Sequence, residues 1–139
     1  ASWLMDHDAV AFVAACIVSR GVSPVDVPDV VAVVGGAVLI VAGLGLKAWA
    51  AASLPEGAYF WRDVFVPGAA SSLSARGPYR WLSNPMYTLG YAHAYGCALV
   101  FESVPGLCAA AGAHAAVLVL HLVAERPHVK TALAPGQPR

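Results

Sequence analysis

Two stretches of this chain contain no Asp, Glu, Lys or Arg: the residues between Asp29 and Lys47, and those between Glu102 and Glu125. A helix rises about 1.5 Å per residue, so about 20 apolar residues cross a hydrocarbon core of roughly 30 Å. Val30 to Leu54 and Val104 to Ala124 are long enough to do so. The rest of the chain agrees. Of 139 residues, 59% are hydrophobic and 12% charged, about half the charged share of an ordinary soluble domain. A water-facing surface would lack its charge, so the expected class is an all-α integral membrane helical bundle rather than a soluble globular domain.

Lys and Arg number 8 and the net charge is zero, which leaves no basic surface to follow a nucleic-acid backbone. Cys16, Cys97 and Cys108 lie in apolar surroundings without CxxC spacing, so neither a disulfide framework nor a zinc site is implied. No signal peptide with a basic start is visible.

The pattern predicts one membrane domain over residues 1–139 with about four embedded helical segments. N-terminal spans occupy 1–54, a cytoplasmic interfacial loop 55–84, and a helical hairpin with the C-terminal region 85–139. Segment one, Ala9 to Ser19, is too short to cross unless it tilts, thins the bilayer or recruits Trp3 to Met5. Segment two, Val30 to Leu54, carries Gly35, Gly36, Gly43 and Gly45, small residues that let helices approach closely within or between chains. Segment three, Pro85 to Phe101, and segment four, Val104 to Ala124, are joined by Glu102-Ser103 as an antiparallel hairpin.

Arg62, Arg76 and Arg80 outnumber Glu56 and Asp63 in the central loop, and Lys47, Arg126, Lys130 and Arg139 fall on the same side after four crossings. The positive-inside rule then places this loop and the C-terminus in the cytoplasm. Tyr59, Phe60, Trp61, Phe65, Tyr79 and Trp81 suit the headgroup level, so the loop is expected to lie on the membrane.

Chemistry concentrates in two places. In Gly77 to Tyr91, GPYRWLSNPMYTLGY, Gly77-Pro78 signals a turn, and Asn84-Pro85 reads as an N-cap and first helical position. A helix N-terminus there offers free N–H groups and a positive dipole end to a carboxylate or phosphate. The alternative is a plain helix start with tyrosines as interface anchors. The second place is the stripe His114, His121, Glu125 and His128, at spacings of seven, four and three on one helix face. Glu125 there is in reach of Arg80 or a cationic ligand, whereas His114 and His121 individually fit interhelical hydrogen bonds. No HxxxH or HExxH box occurs and only His93 adds a second element, so no metal site is expected. Tyr91, His93 and Tyr95 alternate too closely to share one helix face.

Gly77-Pro78-Tyr79-Arg80, then Asn84-Pro85-Met86-Tyr87, a hairpin, and Glu125-Arg126-Pro127-His128 resemble the small membrane methyltransferases that include isoprenylcysteine carboxyl methyltransferases and bacterial phospholipid N-methyltransferases. The motifs cover Gly77 to about Lys130. The resemblance implies an S-adenosylmethionine-dependent methyltransferase acting on a lipid or other membrane-partitioned amphiphile, through direct displacement that needs alignment and exclusion of water. It marks Tyr79, Arg80, Asn84, Pro85, Tyr87, Gly90 and Glu125 as cofactor-binding candidates. If the acceptor is an amine, Glu125 and His128 are the candidate proton acceptors, although Glu125 fits the cofactor's ribose hydroxyls or amine better. Two features depart from the family pattern. Ser83-Asn84 stands where Arg-His is usual, and Arg126 stands where a second Glu is usual, followed by APGQPR instead of the common tail. Two other readings are a steroid 5-alpha-reductase-type membrane reductase using NADPH and a non-catalytic lipid-binding or scaffold protein.

Overall fold

A computed structural model describes residues 2–22, 28–54, 77–82 and 84–125, with side chains described for those within 9–123. Among the described residues the architecture is helical and holds no strand. Helix α1 spans Ser2–Val18, α2 Asp29–Ala52, α3 Ala92–Val100 and α4 Val104–Leu120, and α4 runs on into a wide π-type turn, His121–Glu125. Short 3-10 turns occupy Gly77–Arg80 and Leu89–Tyr91. The central loop from residue 55 to 76, including the Tyr59 to Asp63 aromatics, Arg62 and Arg76, lies outside the described residues, as do Ser83, Arg126 and His128.

Helix α2, with 24 residues, is about 36 Å long and exceeds the hydrocarbon thickness. Helix α2 and the segment Val104–Val123 are both long and apolar enough to cross a membrane. Only 17% and 11% of their most apolar windows are buried, whereas the core helix of a soluble protein would be mostly covered. The covered residues are small. Along α2 they are Ala32, Gly36, Gly43 and Ala50, a single stripe, while Val38 and Val41 are 61% and 72% exposed. Small residues inside and large apolar ones outside is the pattern of helices that associate by close backbone approach in lipid. Together with the two long apolar helices it fits a membrane protein.

The stripe on α2 receives α3. A Cβ added at Gly36 would stand 2.6 Å from the carbonyl oxygen of Gly96, and one at Gly43 would stand 2.5 Å from the His93 nitrogen. Helix α3 turns back into α4 through Phe101–Ser103, where Glu102 adopts φ 49°. Ser103 is fully buried and caps α4 by accepting the Gly106 N–H at 2.9 Å, with Pro105 in the first turn. Its hydroxyl also shares a 2.6 Å hydrogen bond with Ser19. The Gly21 N–H reaches Phe101 O, and the Val104 N–H reaches Val22 O. The exit of α1 is therefore tied to the hairpin turn at one end of the bundle. The C-terminal ends of α2 and α4 and the approach to α3 gather at the other end.

Two bounds differ from the sequence expectation. Helix α1 starts at Ser2 and so recruits Trp3 to Met5, as a longer first segment requires. The regular helix of segment three starts at Ala92, not Pro85. Asn84-Pro85 does open a helical turn, but the Gly90 N–H reaches back to Pro85 O. That five-residue step widens the coil before α3 settles.

Candidate functional site

The loop returns to the bundle at Gly77. Its φ of 57° belongs to the left-handed region that favours glycine, and a Cβ there would collide with the Ser53 hydroxyl. Pro78 is buried, and the Trp81 ring lies 6.1 Å from Trp49 of α2. Arg80 remains exposed, its guanidinium 5.5 Å over the Trp81 ring, a cation–π distance. The Tyr79 hydroxyl donates to the Met86 sulfur at 3.4 Å. Burial pushes the Tyr79 phenol up, so it remains a hydrogen-bond donor at neutral pH.

Asn84 organises the next turn. Its Oδ1 accepts the Tyr87 N–H at 3.2 Å, and its carbonyl accepts the Thr88 hydroxyl at 2.7 Å and the Thr88 N–H at 3.1 Å. With Oδ1 committed, Nδ2 faces His121 Nδ1 at 3.2 Å. The amide donates, so Nδ1 of His121 is the accepting nitrogen. The Tyr87 ring meets His121 edge-on at 5.9 Å.

His114 fastens the same turn one step lower on α4. Its Nε2 lies 2.8 Å from the Tyr87 carbonyl. A carbonyl only accepts, so Nε2 carries the proton, and in the neutral ring Nδ1 accepts from the Tyr95 hydroxyl at 3.0 Å. Tyr91 stacks on the imidazole at 4.6 Å and 9°. His93 turns instead toward α2. Its Nδ1–H donates to Gly90 O at 2.7 Å, which leaves an acceptor lone pair on Nε2 of the neutral ring. Thus His93 faces α2 and Tyr95 faces α4, with Tyr91 between them.

The structure therefore gathers Tyr79, Arg80, Asn84, Pro85, Tyr87 and Gly90 into one irregular segment, clamped between the C-terminal ends of α2 and α4. The backbone of Glu125 closes the π-type turn after His121. Its side chain lies outside the described residues, as does His128. The seven-residue step from His114 to His121 holds, because α4 is regular between them. Beyond His121 the helix widens into the π-type turn, and the rest of the stripe, the Glu125 side chain and His128, lies outside the described residues. Among the described residues no group of three or more metal-ligating side chains gathers.

Sequence reasoning missed Lys47 and His93 as neighbours of this turn. A Cβ at Gly90 would stand 3.0 Å from Lys47 Cγ. Charge at membrane depth was the available signal for Lys47; for His93 the i−3 hydrogen bond to Gly90 required the irregular backbone to be known.

A family model described as phospholipid methyltransferase matches residues 31–135, a span that includes the irregular segment, α3 and α4. The chain is similar to proteins named phosphatidylethanolamine N-methyltransferase. Identity is 36% over 96 residues with that of Schizosaccharomyces pombe, covering 69% of this chain and 10% of the relative. It is 31% over 106 residues with that of Podospora anserina, covering 76% and 11%. With that of Penicillium rubens it is 30% over 125 residues, covering 88% and 13%. The chain thus spans about a tenth of the length of these curated relatives. No solved structure matches.

Proposed function

The chain belongs to the phospholipid methyltransferase family, and from that premise we propose that it transfers the methyl group of S-adenosylmethionine to the amine of a phosphatidylethanolamine-like phospholipid. The observation that carries the reading is the family match over residues 31–135, which takes in the whole clamped segment. We read the protein as a multi-pass membrane enzyme of four embedded helical segments, with the 55–84 loop and the C-terminus on the cytoplasmic side.

The donor set suits the cofactor. An exposed guanidinium at Arg80 answers a carboxylate. The faces of Tyr79, Tyr87 and Trp81 suit adenine and a sulfonium. The irregular backbone around Asn84, Pro85 and Gly90 allows close approach. Glu125 would take the ribose hydroxyls or the amino group. When bound, S-adenosylmethionine supplies an electrophilic methyl group. The chain's own residues bind, orient and exclude water, because an attacking lone pair needs alignment more than acid or base help. An ammonium acceptor must first lose a proton; Glu125 and His128 follow α4 in the sequence, and His93 offers its Nε2 lone pair beside Gly90.

Calorimetry with S-adenosylmethionine on detergent-purified protein tests this. Wild type is expected to bind saturably. Arg80→Ala and Glu125→Ala each weaken binding about ten- to a hundredfold, the loss of one charge-assisted hydrogen bond, with thermal unfolding unchanged. Labelled methyl should then appear in phosphatidylethanolamine supplied in nanodiscs. A folded wild type that neither binds the cofactor nor labels an amine lipid rules the proposal out.

A further inference from the structure

Lys47 is the one Asp, Glu, Lys or Arg between Val30 and Ala52, and it lies five residues inside the C-terminal end of α2. It is half-buried. Its stem runs along the Gly90 backbone, with Cγ and Cε 3.0 and 3.7 Å from where a Gly90 Cβ would be. Its ammonium stands 5.5 Å from the Tyr91 ring centroid. At the same turn the Gly90 N–H reaches Pro85 O, and Gly90 O accepts from His93. Of the carboxylates whose side chains are described, Asp29 begins α2 and Glu102 follows α3, so both lie at the opposite end of the bundle. A cation held at this depth is expensive without an anion beside it.

We propose that Lys47 binds the phosphodiester of the acceptor phospholipid and holds its headgroup against the Gly90–Tyr91 turn. The inference rests on the reading of the chain as a lipid methyltransferase. Every glycerophospholipid carries a phosphate ester at the boundary between hydrocarbon and water, a phosphodiester wherever a headgroup such as ethanolamine is attached, and a lysine just inside the end of a spanning helix reaches that level along its own stem. In an ethanolamine headgroup only two carbons separate phosphate from amine. An anchor at Lys47 therefore delivers the amine to the segment that carries Asn84, Pro85, Tyr87 and Gly90. The packed stem and the Tyr91 face fix the ammonium in advance, which lowers the ordering cost of binding. A cofactor carboxylate offers the same oxyanion chemistry, and the experiment separates the two sources.

Protein in maltoside detergent, with no methyl donor present, is titrated by calorimetry with short-chain phosphatidylethanolamine, the matching phosphatidic acid and the matching diacylglycerol. Wild type, Lys47→Met and Lys47→Arg are compared, and donor affinity is measured separately on the same preparations. The wild type should prefer both phosphate-bearing lipids over diacylglycerol by about tenfold or more, as a charge-assisted contact implies. Lys47→Met should erase that preference and Lys47→Arg keep it, with donor affinity unchanged in both. An undiminished preference in Lys47→Met overturns the proposal, and so does a loss of donor affinity in place of lipid preference. If Lys47→Met loses its folded state by size exclusion, Lys47→Gln takes its place with the same expectation. Because lipid binding is read without donor, a wild type that prefers phosphate-bearing lipids but never binds donor refutes the methyltransferase reading and leaves the anchor standing.

Discussion

Alanine at Gly96 is expected to destroy the folded state recovered in mild detergent, while alanine at Gly35 leaves it intact. A Cβ at Gly96 would stand 2.5 Å from the Gly36 carbonyl oxygen and 2.9 Å from the Ile40 nitrogen. At Gly36 it would meet Gly96 O and Val100 Cγ2, each at 2.6 Å. These neighbours are largely backbone, which no rotamer change can move aside, so relief requires α2 and α3 to part. Overpacking commonly costs about 1–3 kcal/mol, and a backbone collision at the main helix crossing belongs at or above the upper end. Gly35 and Gly45 lie on the same helix with nothing within 4 Å, so alanine there should be neutral or gain up to about 1 kcal/mol of helix propensity. Thermal unfolding followed by fluorescence-detected size exclusion reads the contrast. Equal midpoints for Gly96→Ala and Gly35→Ala would contradict the crossing.

Replacing His114 with leucine is expected to lower methyl transfer by about a hundredfold while leaving a folded protein. The substitution removes the hydrogen bonds that join His114 to the Tyr87 carbonyl and the Tyr95 hydroxyl, and the ring on which Tyr91 stacks. Hydrogen bonds between membrane helices contribute about 0.6 kcal/mol on average and up to about 1.7, so the stability loss is modest. The functional loss is larger because displacement of a site element by about 1 Å can cost roughly a hundredfold. His114 is a positioning residue. Its signature is a weaker cofactor affinity, partly rescued by His114→Gln, whose amide can still donate to Tyr87 O. Wild-type affinity in His114→Leu, measured by the same calorimetry, would remove it from that role.

How far these features can be read from residue order varies along the chain. Helix α2 shows itself almost to the residue, because a long apolar run with one internal charge, Lys47, has few alternatives, and the α3–α4 turn is marked by Ser103 and Pro105. The cap at Asn84 is legible too, since its side chain accepts the Tyr87 N–H as an N-cap does. The winding beyond that cap is not legible. Pro85 to Tyr91 has the composition of a helix, yet it winds irregularly because the Gly90 N–H reaches back five residues to Pro85 O and the Tyr91 N–H three to Thr88 O, and because the stem of Lys47 on another helix runs beneath Gly90. The lysine contact is tertiary, and no periodicity encodes it. Helical spacing also predicts His114 and His121 together, and the regular turns of α4 between them keep that step.

The brevity of α3 ties this chain to the thickness of its surroundings. Nine residues cover about half of a hydrocarbon core, so the depth of the irregular segment is set by α2 and α4, the two long helices that must match the lipid. A bilayer made thinner by short acyl chains tilts those helices or draws their ends outward, and Lys47 and Gly90 travel with them as a unit because the lysine stem is packed on that backbone. Acyl-chain length would then act on the protein as an adjustable ruler, changing how far a headgroup must rise or sink to meet a segment whose own geometry stays fixed.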